Sequence, residues 1–169
     1  DRAVMRQSLL NGVVDAIQYN KARKIDNLAL FEIGNVYSKD EENLHLAIAL
    51  SGVYSHQEWK GSKQISDFFL LKGILESLFS KLNFEVSYKP YNEIVSFHPG
   101  ICAEIIHNGH RIGIIGEIHP KVQKELGVEG CVALEISLED LVTEQLTLKY
   151  KSINKFPSIQ RDLAIVCDK

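Results

Sequence analysis

The sequence predicts an α+β fold in which antiparallel strands pack beside amphipathic helices, and three patterns point there. Leu44, Leu46, Ile48 and Leu50 alternate with His45, Ala47, Ala49 and Ser51, the period of a half-buried strand. Phe68, Leu71, Leu75, Leu78, Phe79 and Leu82 form one stripe at helical spacing. Asn108-Gly109 stands between two apolar runs, and both residues tolerate the positive φ of a two-residue hairpin turn.

Taken in order, Leu9, Leu10, Val13, Val14 and Ile17 predict a helix from Ser8 to about Asn20, with Ser8 as N-cap. The basic stretch Asn20-Lys21-Ala22-Arg23-Lys24 leads out of it. Leu28 to Tyr37 is a strand closed by the polar run Ser38 to Asn43, and it pairs antiparallel with the Leu44–Leu50 strand. Ser66 or Asp67 caps the long helix. A short strand, Glu85 to Lys89, precedes an irregular loop containing Ser96-Phe97-His98-Pro99-Gly100.

Asn108-Gly109 as the turn sets Ile106 opposite Arg111 and Glu104 opposite Gly113. One face then holds Ile101, Ala103, Ile105, Ile112, Ile114, Gly116 and Ile118, and is the core face. The other holds Cys102, Glu104, Ile106, Arg111, Gly113, Ile115 and Glu117, a mixed face for a cleft or for solvent. Pro120 suits the first turn of a short helix ending near Gly127. Val132 to Ile136 is another strand, and Ser137 or Leu138 opens a helical turn. Leu148 to Phe156 reads as a linker, and Leu163 to Val166 as the first strand of a further domain that is cut short. Asp1-Arg2-Ala3-Val4-Met5 is neither a signal peptide nor a natural start, so the chain is expected to begin in mid-sequence.

At 169 residues the chain can build a core without disulfides or metal. Its three cysteines, Cys102, Cys131 and Cys167, have no short paired spacing, which favours a reducing, cytoplasmic setting. No apolar stretch reaches the length of a membrane span. The net charge of −3 gives the domain as a whole no electrostatic footprint for nucleic acid.

Chemical motifs are sparse. Gly109, Gly113 and Gly116 sit inside the hairpin and match no phosphate loop. His107 and His110 flank the hairpin tip with exposed side chains expected, and a metal there would need a third ligand. Glu104 and Glu117 share the mixed face with Arg111, which is placed to pair with Glu104. The two carboxylates are about 14 Å apart at roughly 3.4 Å per residue, too far for a glycosidase pair. Lys21, Arg23 and Lys24, and the later set Lys149, Lys151, Lys155 and Arg161, are the local cations available to an RNA backbone.

Several segments, read in order, resemble the β subunits of bacterial phenylalanyl-tRNA synthetases. They are Met5-Arg6-Gln7-Ser8-Leu9-Leu10-Asn11-Gly12, Ala29-Leu30-Phe31-Glu32-Ile33-Gly34-Asn35-Val36-Tyr37 and Asp67-Phe68-Phe69-Leu70-Leu71-Lys72-Gly73. Phe97-His98-Pro99-Gly100 and Ile112-Gly113-Ile114-Ile115-Gly116-Glu117-Ile118-His119-Pro120 follow, then Lys155-Phe156-Pro157-Ser158-Ile159-Gln160-Arg161-Asp162-Leu163-Ala164. Each is short; their number, order and spacing are specific.

The resemblance implies a class II synthetase-like module over residues 1–148, and over 149–169 a linker and the first strand of a truncated ferredoxin-like anticodon-binding domain. It implies a ligase that charges tRNA with phenylalanine using ATP and magnesium, built as a heterotetramer of two α and two β subunits. In that family the β module is non-catalytic and packs against the α subunit. The residues agree with that role. The Phe31-Glu32-Ile33 strand carries Glu32 and no arginine, and Val132-Ala133-Leu134-Glu135-Ile136 has neither Gly-x-Gly nor Arg. The expectation is therefore a docking module with no catalytic, cofactor or metal residues of its own, inactive in isolation, holding the α subunit and helping to position tRNA. Glu32, Glu104, Arg111 and Glu117 are its cleft candidates, and Lys21, Arg23, Lys24, Lys155 and Arg161 its tRNA contacts. Two rival readings are an enzyme using the mixed face of the 101–118 hairpin and a stand-alone RNA-binding module. An exposed apolar patch of several hundred Å² favours docking over both.

Overall fold

The computed structural model describes residues 4–39, 41–57 and 62–139, with the single positions 141, 161 and 164. Helix α1 spans Leu10–Lys21, α2 Phe68–Leu82 and α3 Pro120–Leu126. The strands are β1 Leu28–Tyr37, β2 Glu42–Ser51, β3 Val53–Gln57, β4 Ser62–Ile65, β5 Ser87–Pro90, β6 Phe97–His107, β7 His110–Ile118 and β8 Val132–Ser137. Six strands form one antiparallel sheet in the order β1-β2-β8-β7-β6-β5, while β3 and β4 pair as a separate ribbon. The expected α+β architecture, an antiparallel sheet flanked by helices, is the one observed. The expected linker at 148–156 and the strand at 163–166 lie outside the described residues.

Both faces of the sheet are core. Val13, Val14 and Ile17 of α1 pack with Ala47, Ala49, Cys102, Ile114, Ile118 and Ala133 on one side. Leu71, Leu75 and Phe79 of α2 pack on the other with Leu46, Leu50, Ile105, Ile115, Leu134 and Ile136. The side chains fit their neighbours. Small alanines line the sheet beneath α1, whereas larger branched residues meet α2. Helix α1 rests on β1, β2 and β8, and α2 rests on β7 and β8.

Local signals place the helix ends. Asp67 accepts a 2.7 Å hydrogen bond from Leu70 N, the expected cap of α2, and Asn83 ends that helix in the left-handed region. Helix α1 starts two residues later than expected. Leu9 occupies its N-cap position without a side-chain bond, and Ser8 Oγ instead accepts from Leu10 N. Asn108 and Gly109 take φ values of 48° and 83°, as the two-residue turn requires.

Beyond that turn the hairpin differs from the expected register. Ile106 lies opposite Arg111, but Ile105 is opposite Gly113 and Glu104 opposite Ile114. A bulge inserts Ile112 as an extra residue, and this reverses the faces downstream. Ile112 therefore packs beneath α2 with Ala103, Ile105 and Ile115, while Ile114 and Ile118 pack beneath α1 with Cys102. The expected division into one core face and one mixed face is wrong for that reason. His107 is a second correction. It is buried, because its Nδ1 bonds Glu85 O at 2.7 Å and its ring meets Phe84 edge to face. The β3–β4 ribbon was not anticipated, and β6 begins at Phe97 inside the stretch read as an irregular loop.

Candidate docking surface and the polar clusters around it

One buried carboxylate ties α1 to the sheet. Glu135 points from β8 to the α1 side with only 7% of its surface exposed. Its Oε2 accepts from Ser8 Oγ at 2.5 Å, and its Oε1 accepts from Leu9 N at 3.0 Å. His45 Nδ1 stands 2.7 Å from the same Oε1. The negative group thus lies at the N-terminal end of α1, where the unpaired amides and the helix dipole favour it. This is a lock with no nucleophile geometry, since the carboxylate sits between serine and histidine and separates them.

The four cleft candidates do not converge. Glu32, on the edge strand β1, pairs with Arg6 at 2.5 Å, and Arg6 Nε also donates to Asn35 O at 2.7 Å. The guanidinium lies against Gly34, where a Cβ would come 2.2 Å from Arg6 Nη2 and would require the arginine to shift. Glu104 and Arg111 are brought together, 3.2 Å apart, with the guanidinium 4.9 Å from the Tyr91 ring centre. Glu117 instead accepts from Gln123 Nε2 at 3.0 Å. Three strands, β2, β8 and β7, separate the strand of Glu32 from β6.

Of the basic candidates, Lys21 Nζ donates to Glu129 O at 2.7 Å. The Arg23 guanidinium lies 3.4 Å over the Tyr19 ring and donates to Tyr19 O. Lys24 and Arg161 are exposed, and Lys155 lies outside the described residues.

Burial pushes the Cys102 thiol up to about 11, with Arg111 lowering it and Glu104 raising it. It pushes Cys131 up to about 12, with Lys21 lowering and Glu117 raising. A thiol that holds its proton more tightly when folded contributes stability below its unfolded value near 8.5, and that contribution is lost as pH rises toward these higher values. Neither thiol should therefore be modified by an aromatic disulfide reagent at pH 8 in the folded chain, and both should react in urea. Peptide mapping checks this, and fast native labelling of Cys131 would contradict the packing around it.

The open surface lies on the α2 side, over β1 and β2. Helix α2 stands over β7 and β8 and buries Leu46 and Leu50 of β2, while Phe31 and Ile33 of β1 stay open. There a groove of about 330 Å³ is lined by Phe31, Ile33, Leu46, Ile48, Tyr54 and Leu78, among others, and no charged side chain lines it among the described residues. Phe31 is 72% exposed and Ile33 55%. It continues between α2 and the ribbon as a trough of about 660 Å³ with Phe69, Gly73, Ser77 and Lys81 in its lining. Phe31, Ile33, Tyr54 and Phe69 together leave on the order of 500 Å² in water, at the upper end of the largest patch on a typical monomer. No cleft candidate marked this site. Its sequence signal was that β1 is apolar at both parities, Leu28 and Leu30 on one face and Phe31 and Ile33 on the other.

Residues 1–138 match the family model described as "Phenylalanyl tRNA synthetase beta chain CLM domain". The phenylalanine–tRNA ligase β subunit of Geobacillus kaustophilus is 41% identical across the whole chain, and that of Bacillus subtilis 39%. The chain spans 22% of the length of each of these relatives. Among solved structures, a pyrrolysyl tRNA synthetase of Desulfitobacterium hafniense aligns with a TM-score of 0.55 at 13% identity. That alignment covers 81% of this chain and 48% of the other, a likeness of fold alone.

Proposed function

The chain belongs to the phenylalanyl-tRNA synthetase β-chain family, and we propose that it is a non-catalytic docking module of a phenylalanine–tRNA ligase. In this reading residues 1–148 form the synthetase-like module and 149–169 open the anticodon-binding domain. The module holds the catalytic α subunit in a cytoplasmic assembly of two α and two β subunits. Lys21, Arg23, Lys24, Lys155 and Arg161 make secondary contacts to tRNA. The observation that carries the docking role is the uncovered groove, with Phe31 and Ile33 in water on an edge strand. Leaving such side chains exposed is unfavourable by about 25 cal/mol per Å², and a partner that covers them recovers that free energy.

ATP and magnesium serve the whole enzyme's reaction, and the residues described here do not fit a triphosphate. Arg6 and Arg111 are each committed to a carboxylate, and α1 side chains fill the sheet face beneath that helix. Charge stabilisation in a dry site needs cations aimed at the phosphates. The groove offers apolar carbon instead.

The test is association with the purified cognate α subunit, followed by sedimentation. The chain is expected to bind, and alone to support no phenylalanine-dependent exchange of pyrophosphate into ATP. Replacing Phe31 and Ile33 together by glutamate should weaken binding by 10-fold or more. The thermal midpoint should stay near its starting value, because both positions are exposed. A chain that fails to associate with α at all would overturn the docking role.

A further inference from the structure

The uncovered strip runs beside a helix. Leu46 and Leu50 of β2 are buried beneath α2, so the exposed apolar band follows β1, with Phe31 and Ile33 in water. One flank of that band is α2 itself, and its surface there is cut low. A Cβ built on Gly73 meets nothing within 4 Å, so space stands open above it. Ser77, one turn on, turns its hydroxyl back to Gly73 O at 2.8 Å and leaves the flank without an unsatisfied donor. Small residues at i and i+4 let a second helix approach near the short end of the 8–10 Å interaxial range. An added strand would use the edge of β1 and leave this flank empty.

Charge and area narrow the occupant. Lys81 is the only charged residue lining the groove and trough among the described residues, and no acid lines either. The exposed apolar surface, on the order of 500 Å², is a large part of the roughly 800 Å² that one side of a standard interface contributes. We infer that the groove receives a single amphipathic helix of the partner subunit, laid beside α2 over Gly73 and Ser77, with an acidic residue facing Lys81. This rests on the docking role proposed above and names the element that docks.

The experiment uses the chain with the purified α subunit. Gly73→Leu fills the open space above α2 and replaces a poor helix former by a good one. It should weaken association 10-fold or more while leaving the thermal midpoint unchanged or higher, which separates lost docking from lost folding. A photoreactive label on Ser77→Cys, in a Cys167→Ser background, should cross-link α at positions spaced three, four and seven residues apart. Cross-links at alternate residues, or between copies of this chain, would overturn the inference, as would a Gly73→Leu variant that binds like the original. If α binds and these sites stay unlabelled, the docking role stands and the helix is wrong. If α does not bind, the docking role fails and this inference fails with it.

Discussion

Glu135→Ala is expected to lower folding stability by about 3–5 kcal/mol, the range for removing one partner of a buried charged network. Alanine would leave Ser8 Oγ, Leu9 N and the His45 ring without the carboxylate they share. Each buried polar group left unsatisfied costs about 1–3 kcal/mol, and the first turn of α1 would lose the negative group at its positive end. Glu135→Gln keeps the shape and one acceptor while removing the charge, so it should recover part of the loss. Urea unfolding of the three proteins measures this. Midpoints that coincide would mean that the carboxylate does not hold α1 to the sheet.

Ile114→Asp should be comparably damaging, by about 4 kcal/mol or more, because an unpaired carboxylate would be buried. Ile114 is 6% exposed beneath α1. Its position adds a second cost. Ile114 is paired directly with Glu104 on β6 and with Glu135 on β8, so the three side chains share one face. An aspartate there would stand between two acids, and like charges directly opposite are unfavourable. Ile114→Lys buries a charge of opposite sign at the same place and should destabilise less. Equal urea midpoints for the aspartate and lysine variants would remove the electrostatic part of this account.

Local chemistry was legible in the residues, and long-range placement was not. The stripe on α2, its Asp67 cap and the Asn108-Gly109 turn depend on neighbours within a few positions, and all were readable. The bulge at Ile112 was not. Alternation fixes register only where one face is wet, and the run Ile112-Gly113-Ile114-Ile115-Gly116 is apolar or small at every position. The Glu135 lock joins groups up to 127 residues apart, beyond any spacing rule. Its signal was present all the same, since a lone acid inside Val132-Ala133-Leu134-Glu135-Ile136 must find a partner if both faces are buried. The groove escaped notice because apolar positions in a strand say that a face is covered, without saying by which chain.

The strand order also governs how the chain becomes a domain. Among the described residues β8 is the last strand of the sheet in sequence, yet it lies in the middle, bonded to β2 on one edge and β7 on the other. The β1–β2 pair and the β5–β6–β7 meander can each form from nearby residues, but nothing joins them until β8 slots between. As a ribosome extends the chain, two half-sheets with bare inner edges must wait for their keystone, and open edges of this kind recruit other chains. Closing the centre joins residues as far apart as His45 and Ser137, so this non-local pairing is the slow entropic step in forming the sheet.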